Sequence, residues 1–211
     1  MNDFLIKFVI IGDSQVGKTA LLKNNIEPFH PTIGVDFFST VIALGNINCK
    51  LHVWDTSGNP MFLNLNRTYF NISVGVIIVF DITRRESFSN IDFWINEIYK
   101  ENNNYRSLVF VGTHADKARQ VSLPEIEIKC SKYNADYYEI PGLYNINNIL
   151  IQMSRDIMND YNTRPSIFQK LPGFKEERPK NISPFPITSD YILFDEPESD
   201  EKGCCERCVI Q

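Results

Sequence analysis

The chain has 211 residues, of which 43% are hydrophobic, with a net charge of −5 and a pI of about 5.3. This length and apolar content suit one packed domain with an extension, and the acidic balance argues against a nucleic-acid partner. No apolar run approaches a membrane span, and the polar start is too short for a signal peptide. The five cysteines show no disulfide spacing, so we expect a reducing compartment.

Apolar runs and turn residues predict strands that alternate with helices. The predicted strands are 7–11, 35–44, 49–55, 75–81, 107–112 and 137–140; the predicted helices are 19–24, 61–71, 87–102, 123–133 and 146–161. Gly45-Asn46 is the turn of an antiparallel hairpin. The order predicts an α/β P-loop NTPase fold, a doubly wound, mostly parallel sheet with one antiparallel edge hairpin strand.

The composition changes after Asn162, which sets the predicted domain boundary. Six of the eleven prolines follow Thr163, and residues 190–201 are acidic. Segments of this kind bury too little apolar surface to form a core of their own. We therefore expect a domain at 1–162 and a mostly extended tail at 163–211.

A glycine-rich loop lies between the first predicted strand and helix. It has the spacing G-x-x-x-x-G-K-T, in which backbone N–H groups surround a phosphate and the helix dipole favours the anion. Its candidate nucleotide-binding residues are Gly12, Asp13, Ser14, Gln15, Val16, Gly17, Lys18, Thr19 and Ala20. We expect Lys18 to reach the outer phosphates and the Thr19 hydroxyl to bind Mg²⁺.

A second motif restricts the choice between kinase, ATPase and GTPase that the loop leaves open. Asp55 ends the strand 49–55 and Gly58 follows three residues later. An aspartate there can hold Mg²⁺ through a water, and a glycine N–H can approach a γ-phosphate without a side chain in the way. A small-molecule kinase is the more distant reading, because no lid rich in arginine is evident.

These motifs, in order over residues 4–161, resemble a small GTPase of the Ras superfamily and are most similar to the Rab family. The matching segments are the loop at 12–19, Thr32-Ile33-Gly34-Val35-Asp36-Phe37, Trp54-Asp55-Thr56-Ser57-Gly58, and Asp81-Ile82-Thr83 with Glu86-Ser87-Phe88. The resemblance implies a GTP/GDP-dependent switch in intracellular vesicle and membrane trafficking that hydrolyses GTP. Its implied partners are effectors, an exchange factor and a GTPase-activating protein, and the chain is expected to be a monomer.

The resemblance also implies residue roles. Thr19, Thr32 and Asp55 would bind Mg²⁺, and Thr32 would also contact the γ-phosphate, which orders switch I. The implied effector surface contains Ile33, Gly34, Val35, Asp36, Phe37, Trp54 and Tyr69. Packing on the hairpin is the alternative role for its aromatic residues.

The base site departs from the family pattern. Thr113, His114 and Asp116 stand where the family has N-K-x-D, so Asp116 would accept from guanine and the imidazole of His114 would stack on the base. Gly142 would offer its N–H to guanine O6 and Leu143 would pack nearby. Phe29 is the remaining aromatic candidate beside the nucleotide. We expect a preference for guanine with weakened affinity.

The catalytic position departs further. Asn59 replaces the family glutamine that orients the attacking water, and Pro60 follows it. A contact that falls about 1 Å short can cost roughly a hundredfold in rate, so slow hydrolysis is expected. Gln15 replaces a loop glycine, where it would either crowd the γ-phosphate or act as a polar group beside it. The alternative function is a GTP-binding, effector-recruiting module with negligible turnover.

The last four residues, Cys208-Val209-Ile210-Gln211, fit the C-a-a-X prenylation motif. One prenyl chain binds a membrane only marginally, so a second lipid on Cys204 or Cys205 is expected. A prenyltransferase is then a partner, and the protein would lie on the cytosolic face of a membrane. Farnesyl and geranylgeranyl remain open, as does the choice of cysteine.

Overall fold

A seven-stranded, mostly parallel sheet forms the centre of the molecule. The computed structural model describes residues 3–23, 32–142 and 145–177. The strands are β1 (Asp3–Ile11), β2 (Val35–Leu44), β3 (Ile47–Thr56), β4 (Gly75–Asp81), β5 (Ser107–Thr113), β6 (Asp136–Ile140) and β7 (Phe174–Glu177). The helices are α1 (Lys18–Leu22), α2 (Leu63–Asn71), α3 (Arg85–Ser89), α4 (Ile91–Glu101), α5 (Leu123–Tyr133), α6 (Asn147–Thr163) and α7 (Pro165–Phe168), and a 3₁₀ turn spans Pro60–Phe62.

The strand order β2-β3-β1-β4-β5-β6 confirms the predicted fold class. β1 pairs in parallel with β3 and β4, β5 pairs in parallel with β4 and β6, and β2 pairs with β3 as the predicted antiparallel hairpin. The carboxyl ends of the parallel strands therefore meet at one edge, where doubly wound folds bind ligands. Within the described ranges, no helix is both long and apolar enough to cross a membrane.

Each face of the sheet is covered by a separate apolar core. Alternate residues of β1 enter the two cores, with Phe8 and Ile10 on one side and Val9 and Ile11 on the other. All seven residues of β4 are buried, as its continuous apolar sequence predicted. The rigid centre of the sheet therefore supports the loops at its carboxyl edge.

Most element bounds differ from the predictions by only a few residues, and one helix is divided. The span predicted as one helix at 87–102 forms α3 and α4, which meet at Asn90. The Asn90 side chain donates a hydrogen bond to Asp13 of the glycine loop at 2.8 Å. The predicted apolar face of this span is buried: Phe88, Ile91, Trp94, Ile95 and Ile98.

The predicted tail begins too early, because residues 165–177 pack on the domain. β7 pairs antiparallel with β1 and places Phe174 opposite Ile6. On β1, β4 pairs with Phe8–Ile11, and β7 covers the same edge over the first half of the strand. Phe174 lies 4.8 Å from Phe168 and 5.1 Å from Tyr161 between ring centroids, an aromatic cluster that makes this segment part of the core.

Truncation after Thr163 and truncation after Glu177 should show which of the two positions is the end of the folded domain. Ending the chain after Thr163 removes the buried rings of Phe168 and Phe174, and we expect the free energy of unfolding to fall by about 3–5 kcal/mol. Ending it after Glu177 should change that value by less than about 0.5 kcal/mol. Urea unfolding measures both, and Phe174→Ala tests the same packing in the full chain. Equal stability of the two truncations would contradict the role given to β7.

Candidate nucleotide site

The glycine loop joins β1 to α1 at the carboxyl edge of the sheet. Gly12 has a φ of 140°, and a Cβ there would lie 2.1 Å from the Val79 carbonyl oxygen, so no side chain fits. Gly17 has a φ of 93°, also in the region that favours glycine. Gln15 has a φ of 63°, which a non-glycine residue adopts at a cost of about 1–2 kcal/mol. Its side chain is exposed, so the loop carries a strained residue at its surface.

Lys18 is buried inside this loop. Its Nζ donates hydrogen bonds to the carbonyl oxygens of Gly12 at 2.9 Å and Asp13 at 2.7 Å. Burial lowers the pKa of Lys18 to about 8, against the opposing effect of Asp55 and Asp13 and with a further lowering by Arg84. The ammonium is thus held where a phosphate oxygen would give it a charged partner.

The three residues predicted to bind metal lie together. The Thr19 hydroxyl donates to Asp55 Oδ2 at 2.5 Å and lies 2.8 Å from the Thr32 hydroxyl, which is 3.5 Å from the same carboxylate oxygen. The other oxygen, Asp55 Oδ1, is buried without a hydrogen-bond partner. Burial raises the pKa of Asp55, while the Thr19 hydrogen bond and Lys18 oppose that shift.

This set of oxygen atoms fits Mg²⁺. The ion prefers hard oxygen ligands, and few of them come from protein when phosphate is also present. In the part of the chain that the structure describes, no three His, Cys, Asp or Glu side chains gather into another metal cluster. The orphaned Asp55 oxygen and the two hydroxyl groups are oxygen donors of the kind that Mg²⁺ prefers.

Switch I (residues 32–37) and the segment after β3 (residues 57–61), which the family resemblance makes switch II, contact each other and the glycine loop. The Ser57 N–H donates to the Gly34 carbonyl at 2.8 Å, which joins the start of β2 to the segment after β3. A Cβ added to Gly58 would lie 2.3 Å from the backbone of Asp13 and Ser14. Gly58 thus packs directly on the glycine loop. A group bound in the loop would lie next to this segment, which is bonded to the other one through Ser57 and Gly34.

Asn59 caps the 3₁₀ turn at Pro60–Phe62. Its Oδ1 accepts from the Met61 N–H at 3.0 Å, and its own N–H donates to the Ser57 hydroxyl at 3.3 Å. A proline at the first position of such a turn is favourable, because it has no N–H to satisfy. The side chain predicted to orient a water therefore has its amide oxygen occupied by a cap.

The residues predicted to bind the base lie at the ends of β5 and β6. The Thr113 hydroxyl bonds to the Val16 carbonyl at 2.8 Å, which fixes the glycine loop to β5. Asp116 Oδ1 accepts from the Gly142 N–H at 2.9 Å, and this contact lowers the pKa of Asp116. We expected that N–H to face guanine O6. In the structure it donates to Asp116 instead. Phe29 and Leu143 lie outside the described residues, as do Cys204, Cys205 and Cys208.

The predicted effector residues form one aromatic surface. Ring centroids of Phe37 and Trp54, and of Trp54 and Tyr69, are each 4.6 Å apart. Ile33, another residue of the predicted effector set, is 84% exposed. Asp36 is held away from this surface by an ion pair with Lys23 at 2.6 Å. The packing role is confirmed, because the three rings contact one another while Phe37 is exposed and Trp54 and Tyr69 are half-buried.

Sequence reasoning did not assign roles to Asp81 and Arg84, which contact the site. Asp81 ends β4 and is paired in register with Thr113. Arg84 donates from Nη2 to the Ser14 carbonyl at 3.0 Å. A carboxylate at the end of a buried parallel strand was a usable signal for Asp81, since Asp55 lies in the same way near the end of β3.

Fold and site together define a phosphate-loop nucleotide-binding protein, and comparison with known proteins narrows the class. A family model for the Ras family matches residues 7–159. The relatives include RABC1 of Arabidopsis thaliana, 37% identical over 131 residues, which cover 59% of this chain and 62% of the relative. RAB1BV of Beta vulgaris is 32% identical and RABE1d of Arabidopsis thaliana 31% identical, each over 165 residues, 74% of this chain and about three quarters of the relative. The chain belongs to the Ras family and is a Rab-type small GTPase of the Ras superfamily.

Proposed function

We propose that the chain is a Rab-like GTP/GDP switch in membrane trafficking whose bound state is read at switch I and switch II. The observation that carries this proposal is the convergence of Thr19, Thr32 and Asp55 beside the buried Lys18. A bound Mg²⁺ would neutralise charge on the phosphate oxygens. Thr32 and Gly58 belong to the two switch segments, so their contacts with the outer phosphate would hold both segments in place.

Selection of guanine would depend on Asp116. A carboxylate accepts hydrogen bonds from the two N–H groups on the Watson–Crick edge of guanine, which adenine does not offer. Asp116 would exchange its bond with Gly142 for those of the base, and the freed N–H would face O6. Thr113 supports this site indirectly by fixing the glycine loop.

Hydrolysis is expected to be slow because Asn59 is poorly placed to orient water. Its side chain is one methylene shorter than glutamine, and its amide oxygen caps the turn that Pro60 begins. This cap also supports the second candidate function, an effector-recruiting module that keeps GTP without turnover. The two candidates differ in the hydrolysis rate alone.

Replacement of Asn59 by glutamine tests this assignment. We expect Asn59→Gln to raise the single-turnover rate of GTP hydrolysis by roughly ten- to a hundredfold, because the longer amide regains reach toward the water. Asn64→Gln, on the first turn of α2, is the matched control and should leave the rate unchanged. The rate is measured by chromatography of GTP and GDP after Mg²⁺ is added. A fast wild-type rate that the substitution does not raise would contradict the proposal.

Membrane attachment would come from lipids on Cys208 and on Cys204 or Cys205, added by a prenyltransferase and a second modifying enzyme. The support is the C-a-a-X spacing, with paired cysteines that supply the second anchor. Mass spectrometry of the C-terminal peptide from eukaryotic cells should show a prenyl group on Cys208. The peptide that contains the buried Cys49 should carry no prenyl group and is the internal control. An unmodified Cys208 would refute lipid attachment.

Regulators and effectors follow from Rab-family membership in general terms. We assign effector contact to the surface of Phe37, Trp54 and Tyr69, because it is apolar, partly exposed and continuous with both switch segments. An exchange factor and a GTPase-activating protein would act on the same segments. Because the proposed intrinsic hydrolysis is slow, the activating protein would be needed to return the GTP-bound form to the GDP-bound form.

A further inference from the structure

Asp81 lies between the base site and the glycine loop, at the carboxyl end of β4. It is only 5% exposed, so its carboxylate needs partners inside the protein. Oδ1 accepts from the Thr83 N–H at 2.8 Å and from the Thr83 hydroxyl at 2.7 Å. Those bonds form a local turn and leave Oδ2 for other groups.

The first of these groups is His114, which stands at the predicted base-stacking position. Its Nδ1 lies 3.1 Å from Asp81 Oδ2. An ionised carboxylate only accepts hydrogen bonds, so this contact favours the tautomer with the proton on Nδ1. The Thr113 hydroxyl lies 3.4 Å from the same nitrogen but donates its proton to the Val16 carbonyl, which is compatible with that tautomer. His114 also has a φ of 60°, so its backbone is held in a turn that directs the ring.

The second group is Arg84, which contacts the glycine loop. Its Nε lies 3.4 Å from the same Asp81 oxygen, and its Nη2 donates to the Ser14 carbonyl. One buried carboxylate thus contacts one side chain at the base loop and another at the phosphate loop. Among the described residues Arg84 Nε has no hydrogen-bond partner, so its link to Asp81 is the attraction of the ion pair. One carboxylate therefore holds both side chains near it, Arg84 by charge and His114 by its ring nitrogen.

We propose that Asp81 is a positioning residue of the nucleotide site, which holds the imidazole of His114 for stacking on the base and links it through Arg84 to the phosphate loop. The proposal rests on the proposed guanine-nucleotide function and extends it to Asp81 and Arg84, which have no assigned role. Asp81 does not touch the nucleotide itself. Its effect is to reduce the freedom of the ring, and so to slow nucleotide release.

Asp81→Asn tests the proposal in the full chain. The asparagine oxygen can still accept from Thr83, but its amide nitrogen cannot accept from His114. We expect GDP to dissociate roughly tenfold faster, because a ring that Asp81 no longer holds loses rotational freedom each time it stacks on the base. In a His114→Phe background, which keeps a ring without an N–H, the same change should accelerate release at least threefold less. Both rates are measured with a fluorescent GDP analogue, and thermal unfolding checks the fold.

The ring tautomer gives a readout that a merely structural role would not change. In wild type, ¹⁵N spectra of the imidazole of His114 should show the proton on Nδ1, and in Asp81→Asn a mixture of tautomers. An unchanged tautomer, or equal acceleration in the two backgrounds, would overturn the proposal. If Asp81→Asn does not fold, His114→Phe alone must still release GDP severalfold faster. Wild-type protein that binds no guanine nucleotide would instead refute the proposed function, and the tautomer would still decide the Asp81 contact.

Discussion

Lys18→Ala should weaken GTP and GDP binding by roughly a hundredfold or more. The Lys18 ammonium is buried in the glycine loop and donates only to two backbone carbonyls, so a phosphate would be its first charged partner there. Each hydrogen bond to a charged group contributes about 1.5–3 kcal/mol. Two such bonds from Lys18 to phosphate oxygens would correspond to at least about a hundredfold in affinity. Equilibrium binding of a fluorescent GDP analogue to nucleotide-free protein measures the loss.

A stability measurement separates this loss from misfolding. Removal of a buried, desolvated charge should not lower the free energy of unfolding of the nucleotide-free protein, because the pKa of Lys18 is already depressed by burial. Lys50→Ala, on the exposed side of β3, is the matched control and should bind like wild type. An affinity loss below about fivefold in Lys18→Ala would show that phosphate binds elsewhere.

Asp55→Asn should remove most of the Mg²⁺ dependence of nucleotide binding. The carboxylate is the only charge among the three converging oxygen donors, and an amide in its place keeps the shape but not the charge. Attraction between unit charges about 4 Å apart is about 4 kcal/mol near a protein surface, so Mg²⁺ should strengthen GDP binding to wild type by on the order of a hundredfold or more. We expect Mg²⁺ to strengthen GDP binding to Asp55→Asn by less than about fivefold.

Asp36→Asn provides a closely matched control. Asp36 pairs directly with Asp55 across the β2–β3 hairpin, but its carboxylate contacts Lys23 at the surface. Its substitution should leave the Mg²⁺ effect on GDP release intact. Titration of GDP release with a chelator compares the three proteins, and an equal Mg²⁺ response in Asp55→Asn and wild type would contradict the metal assignment.

The sequence predicted elements whose signals are local. Strands 35–44 and 75–81 and helix 123–133 have the predicted bounds in the structure. The last of these begins where Ser122 and Glu125 form a capping box, a motif that is visible over four residues. The order of the phosphate, metal and base motifs was also readable, because each follows a predicted strand.

Features that depend on distant contacts were not predictable in this way. β7 has one large apolar residue, Phe174, and its pairing with β1 joins segments about 170 residues apart. The cap made by Asn59 and the bond between Gly142 and Asp116 depend on backbone geometry that the residue types do not specify. The role of Asp81 required knowing that His114 and Arg84 lie on the same side of it.

Competition between GTP and ATP in the presence of Mg²⁺ tests most directly whether this chain is a guanine-nucleotide switch. Purified protein with all 211 residues is loaded with a fluorescent GDP analogue and titrated with each nucleotide. We predict that GTP displaces the analogue at near-stoichiometric concentration, and that ATP does not do so at about a hundredfold excess. Adenine has an acceptor at N1 and no amino group at C2, the two positions where guanine offers N–H donors to Asp116. Equal displacement by ATP, or no retention of the analogue with Mg²⁺ present, would contradict the assignment.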